Sequence, residues 1–110
     1  MATAFKYVQG DTGPQLKFTI TETGGAAVDL TGAIATLHFR AAGETTVLFS
    51  RQLLITSQNA PNGIAVVQWA ETDLNQDPGS YECELEIVKA NGVRETLYDK
   101  IKIKIREDFA

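Results

Sequence analysis

Apolar side chains recur at every second position along most of this chain. Leu16, Phe18 and Ile20 alternate with Lys17, Thr19 and Thr21, the pattern of a strand with one buried and one wet face. Gly24-Gly25 ends that run. Ala33, Ala35, Leu37 and Phe39 then alternate with Ile34, Thr36, His38 and Arg40, and this strand is expected to lie centrally, partly covered on both sides. Beyond the Ala42-Gly43-Glu44 turn, Thr46 to Ile55 is rich in β-branched and aromatic residues but alternates less cleanly. Turn formers from Ser57 to Gly63 close it, and Ile64 to Trp69 is the next strand. Only Ala70 to Gln76 resists a strand reading, and its polar, helix-compatible residues predict about one helical turn before Asp77-Pro78-Gly79-Ser80.

The clearest hairpin follows. Tyr81, Cys83, Leu85 and Ile87 alternate with Glu82, Glu84 and Glu86, and beyond Ala90-Asn91-Gly92 the odd positions Val93, Leu97, Ile101, Ile103 and Ile105 carry the apolar side. If inward residues on both strands are odd-numbered, paired residues share parity and the loop holds an odd number of residues. Ala90-Asn91-Gly92, with Gly92 left-handed, meets that condition; a two-residue Asn-Gly turn does not. This register sets Lys89 opposite Val93, Leu85 opposite Leu97 and Glu82 opposite Lys100, with Glu84–Lys100 and Glu82–Lys102 as diagonal neighbours. Asp99 falls inward opposite Cys83, so either a bulge reorients it or it lies beyond the covered core. The strict Ile101-Lys102-Ile103-Lys104-Ile105 alternation gives one apolar and one lysine face, and such lysines discourage another chain from pairing with a free edge. About seven strands separated by turn signals predict an all-β, antiparallel two-sheet sandwich over residues 1–110 as one domain, with one short helical turn near residues 70–76.

Composition narrows the function classes. Ten Lys+Arg against fourteen Asp+Glu give a formal charge of −4, so no general attraction draws the chain to nucleic acid or an anionic membrane. Met1-Ala2-Thr3-Ala4-Phe5-Lys6 lacks a basic region followed by an apolar run, and no stretch approaches the roughly 20 apolar residues of a membrane span. A protein without a signal peptide is expected. The single Cys excludes an intramolecular disulfide, and no second soft metal ligand accompanies it.

Candidate chemistry is sparse. His38 is the sole histidine, without a nucleophile elbow or a glycine-rich oxyanion loop nearby, and reads as a sheet-face histidine. Asp73 and Asp77 flank a turn without calcium-loop spacing and read as capping and turn residues. Glu82, Glu84 and Glu86 share one strand face with lysine partners and read as a solvated charged row. Cys83 belongs to the inward set, a small buried hydrophobe. Trp69 is expected to plug one end of the sandwich, and Gly10-Asp11-Thr12-Gly13 is a turn lacking the strand–helix context of a phosphate loop. No catalytic, cofactor or metal residues are assigned, and the chain is expected not to be an enzyme. A small carbohydrate-binding sandwich is the alternative, with Trp69, Tyr7 and Tyr98 as candidate stacking rings.

Two resemblances carry the reading further. Asp77-Pro78-Gly79-Ser80-Tyr81-Glu82-Cys83 resembles the D-x-G-x-Y-x-C signature of immunoglobulin strand F, which implies an immunoglobulin-like sandwich with Tyr81 as a tyrosine corner. The strand Leu16 to Ile20 offers no partner cysteine, and Trp69 stands too close to Tyr81 to be the usual strand C tryptophan. Over almost the whole chain, the order Gln9-Gly10-Asp11, Pro14-x-Leu16, Asp29-Leu30-Thr31-Gly32-Ala33, Phe39-Arg40, Pro78 to Tyr81 and a closing hairpin resembles the N-terminal domain of phage baseplate upper proteins. That resemblance implies a non-enzymatic structural or adaptor protein in the virion, at a baseplate or tail-fibre base, assembled in the bacterial cytoplasm. Its partners would be other tail or baseplate proteins or further copies of itself, with neither nucleic acid nor membrane. The strand pattern and the strand F signature make Trp69, Tyr81, Cys83, Gly92, Ile101, Ile103 and Ile105 structural residues, and the tail reading places candidate interaction loops at Gln9, Asp11, Asp29, Thr31 and Asp73.

Overall fold

Among the described residues the period-two pattern becomes eight strands: β1 (Ala4–Val8), β2 (Leu16–Thr19), β3 (Ile34–Ala41), β4 (Phe49–Gln52), β5 (Ile64–Val67), β6 (Gly79–Val88), β7 (Arg94–Thr96) and β8 (Ile101–Arg106). The computed structural model describes residues 4–13, 15–22, 24–96 and 101–108. Six strands form one sheet in the order β1-β8-β6-β3-β4, with β7 pairing β6 off that path, while β2 and β5 form a second, two-stranded ladder. The sheet is mixed rather than wholly antiparallel, because β1 runs parallel to β8, from Ala4↔Lys102 to Val8↔Arg106. A parallel pair requires a long crossover, and here the rest of the domain supplies it.

The core is the odd-numbered face of the large sheet closed over by β2, β5 and their loops. Leu37, Phe39, Leu85, Ile87, Ile103 and Ile105 are buried, and Leu16, Ala65 and Val67 meet them from the second layer. Phe39 sits at the centre of an aromatic cluster, stacked between Phe49 at 4.6 Å and Tyr81 at 5.1 Å, with the Trp69 ring edge-on at 6.3 Å. β3 is central, flanked by β4 and β6, but it is not covered on both sides. Its even-numbered face is open, and Ile34 there is 50% exposed.

The hairpin forms as the parity argument requires, up to a point. The Lys89 N–H donates to the Val93 carbonyl at 2.8 Å, Gly92 has φ +86°, and Glu86↔Thr96 continues the register. On β8 the register steps by two residues, giving Glu82↔Lys102 and Cys83↔Ile101. The expected facing of Glu82 and Lys100 gives way to Glu82 and Lys102. Leu97, Tyr98, Asp99 and Lys100 lie outside the described residues, as does Pro14. Val93, expected on the apolar side, is 47% exposed beside the turn.

Two connections differ from expectation for identifiable reasons. Residues 70–76 form successive turns, with Asp73 N–H donating to the Ala70 carbonyl and Asn75 N–H to that of Thr72. The Asp73 carboxylate accepts the Ala70 N–H at 2.8 Å, the local side-chain bond that competes with helix. The helical turn falls instead at Ala60–Asn62, a 3-10 helix with Pro in its first positions and left-handed Gly63 as its C-cap.

Candidate interaction surface

The turn residues singled out in the sequence prove to be builders of the sandwich ends. The Tyr81 hydroxyl donates to the Asp77 carbonyl at 2.5 Å, closing a tyrosine corner over the Pro78-Gly79 turn. Tyr81→Phe keeps the stacked ring and loses that bond, so its denaturation midpoint should fall by an amount equivalent to about 1 kcal/mol. The Asp29 carboxylate accepts from the Thr31 hydroxyl at 2.6 Å and its N–H at 2.9 Å, and these bonds hold its carboxyl below the usual range. Both residues are exposed. The Gln9 N–H donates to the Arg106 carbonyl and the Asp11 N–H to that of Val8, tying the chain off after β1.

These loops do not form one surface. Gln9 and Asp11 lie at the end where β1 and β8 finish and β6 begins, and the Gly10 N–H there reaches the Leu74 carbonyl. Asp29 and Thr31 lie at the opposite end, where β3 begins beside Val88 and the Leu30 N–H reaches the Ala60 carbonyl. Asp73 is 3% exposed, and its carboxylate takes Arg51 Nε at 2.8 Å and Nη2 at 2.5 Å as well as the Ala70 N–H. It clamps β4 to the 70–76 connection and presents nothing to a partner.

Cys83 and Trp69 are core residues. Burial, with a smaller contribution from Glu82, pushes the Cys83 thiol up to about 12. At about pH 8 an aromatic disulfide reagent should leave the folded protein unmodified and react fully once denaturant is added. Trp69 and Tyr7 are each 6% exposed and meet edge-on at 5.5 Å, so neither ring offers a stacking platform. Ile103 and Ile105 are buried, and Ile101 packs partly against them.

The open face of the large sheet collects the charged rows. Arg40 pairs with Glu82 through Nη2 at 2.7 Å, and Glu86 lies 3.7 Å from Arg94 and 3.8 Å from the His38 ring. His38 Nδ1 and the Ser50 hydroxyl are 2.7 Å apart, across the β3–β4 pair. A shallow cavity of about 260 Å³ lies here, lined by His38, Arg40, Val47, Glu82, Cys83 and Glu84. The histidine thus has a serine and a carboxylate at hand, a juxtaposition that sequence spacing did not reveal, although both belong to ordinary cross-strand pairings. Among the described residues no group of three or more His, Cys, Asp or Glu is placed to hold a metal ion, and no helix is long and apolar enough to cross a membrane.

The two edges of the sheet contrast in chemistry. On β1, Lys6 stands in register with Lys104 on the open face, beside Lys102 and Arg106. β4 is preceded by Val47 and Leu48, each 48% exposed, and between Glu44 and Arg51 the chain reads Thr45-Thr46-Val47-Leu48-Phe49-Ser50 without a charge or a proline. That uncharged, β-prone run was the available sequence signal for this surface.

No protein-family model matches the chain, and no curated protein matches it in sequence. In fold it is similar to CopC from Methylosinus trichosporium OB3b, with a TM-score of 0.57 over 96% of this chain and 86% of that one, at 8% identity. The likeness establishes the class of the molecule as an all-β, immunoglobulin-like sandwich.

Proposed function

We propose that this chain is a non-enzymatic structural or adaptor module of a bacteriophage or prophage tail, acting through protein–protein assembly at a baseplate or fibre base. The observation that carries the assembly reading is the half-exposed Val47-Leu48 pair beside the edge strand β4, whose one charge, Arg51, is paired inward with Asp73, the kind of surface that a monomeric domain ordinarily guards. The tail setting rests on the order of motifs from Gln9-Gly10-Asp11 to the Pro78–Tyr81 corner. It is supported by the structural work these motifs perform: Gln9 ties β1 to β8, Asp29 and Thr31 close a turn, and Tyr81 locks the entry to β6. The carbohydrate-binding alternative loses two of its three candidate rings, Tyr7 and Trp69, to the core.

Deletion of the coding sequence from the phage or prophage tests the proposal. Particles lacking the chain should show absent or defective tails in electron micrographs, with recovery when the chain is supplied in trans. Fully infectious, normally tailed particles without it would overturn the reading.

A further inference from the structure

We infer that β4 is a self-pairing edge, through which two copies of this chain join their six-stranded sheets by antiparallel β4–β4 addition about a two-fold axis. The inference deepens the assembly reading by naming the contact, and rests on that reading for its biological setting.

A strand at the end of a sheet carries backbone donors and acceptors that point away from its one neighbour. β4 is terminal in the strand order and pairs with β3 from Thr36↔Gln52 to Phe39↔Phe49. The Leu53 N–H donates to the Ala35 carbonyl, so alternation along the antiparallel ladder turns the N–H and C=O of Ser50 and Gln52 outward. These groups can form a ladder with a second strand as far as Gln52; beyond it the edge is closed, because Leu54 exchanges backbone hydrogen bonds with Val66 of β5.

Charge selects which edge can meet its own copy. A β1–β1 pairing would draw together the cations at Lys6, Lys102, Lys104 and Arg106, and like charges directly opposed are destabilising. On β4 the one charged residue, Arg51, points to the inner face and is held by Asp73, so the edge brings no uncompensated charge to a copy of itself. Apolar Val47 and Leu48 extend the contact where the four-residue strand ends. The outward groups narrow the register to residue-centred pairings, and charge selects among these. Pairing centred on Ser50 opposes the outward-pointing groups of the two copies and sets Phe49 against Arg51 of the partner subunit. Centring on Arg51 would match outward groups equally, pairing Ser50 with Gln52 of the partner subunit, but would oppose two arginines across the axis.

Sedimentation equilibrium over a concentration series should show the chain passing from its 12.0 kDa monomer to twice that mass. The double variant Val47→Lys/Leu48→Lys should weaken association by about ten-fold or more while leaving the circular dichroism spectrum unchanged, since both side chains are half exposed. Opposed residues of a hydrogen-bonded antiparallel pair lie about 5.5 Å apart at Cα, within disulfide reach. Under mild oxidant Ser50→Cys should therefore yield a disulfide-linked dimer, without competition from buried Cys83, and Lys6→Cys should remain monomeric. A chain that stays monomeric at near-millimolar concentration, or a double-lysine variant that associates as tightly as the unaltered protein, overturns the inference. A monomer that is nevertheless present in tail particles refutes β4 self-pairing alone, whereas a β4 dimer absent from such particles refutes only the tail reading.

Discussion

Gly63→Ala is expected to destabilise the fold by about 3 kcal/mol or more. Gly63 has φ +70° and closes the 3-10 turn as its C-cap, a conformation costing a non-glycine residue about 1–2 kcal/mol. An added Cβ would also stand 2.4 Å from the Ile20 carbonyl oxygen and 3.0 Å from that of Val28. Neither oxygen can retreat cheaply. The Ile20 carbonyl accepts the Val28 N–H at 2.9 Å, the Ile20 N–H donates to the Gly63 carbonyl at 2.7 Å, and Leu30 is tied to Ala60 close by. Relieving the clash would loosen the whole junction between residues 20–30 and 60–64. Gly92→Ala is the control, because Gly92 has φ +86° and nothing within 4 Å of an added Cβ. It should cost only the conformational part. Chemical denaturation of the two variants separates the contributions, and equal midpoints would refute the close approach at Gly63.

Asp73→Ala should cost about 2–3 kcal/mol. Its buried carboxylate joins three donors from two elements, the Ala70 N–H and two nitrogens of Arg51. Removing one partner of a buried ion pair costs about 3–5 kcal/mol when the other is stranded. Arg51 keeps a third of its side chain in solvent and can rehydrate, which reduces the loss. The Ala70 N–H has no such recourse if the turn holds. Arg51→Ala removes the other half of the clamp, and a double-mutant cycle should show coupling of at least 0.5 kcal/mol, the level reached by contacting residues. Strictly additive losses would mean that Asp73 acts through the Ala70 turn alone.

Much of this fold was legible because its signals are local. The alternation in Tyr81 to Ile87 sets the inward face of the central hairpin, parity alone selects the loop with left-handed Gly92, and the residues before Cys83 announce the Tyr81 corner. The parallel β1–β8 pair left no such trace, since it joins strands at opposite ends of the chain and no neighbouring residue reports it. The two-residue register step after Thr96 has the same character, because strict odd-position alternation continues on both sides of it. Asp73 shows a different limit. Its turn-forming role was readable, but its burial depends on Arg51, 22 residues away on an edge strand. Val47 and Leu48 sit in a β-prone, uncharged run that marks an edge, but their exposure is not written in it. The run from Thr46 to Ile55 reads as β-prone but without clean alternation, and only Phe49–Gln52 forms strand there while the apolar pair before it remains half in solvent.

Quantitative mass spectrometry of gradient-purified tail particles tests the central claim most directly. An assembly module of the tail should be present in a fixed, repeated copy number relative to the known tail subunits, and should remain through successive purification steps. Complete absence of the chain from tailed particles, with the free protein found only in the soluble lysate, would contradict the account.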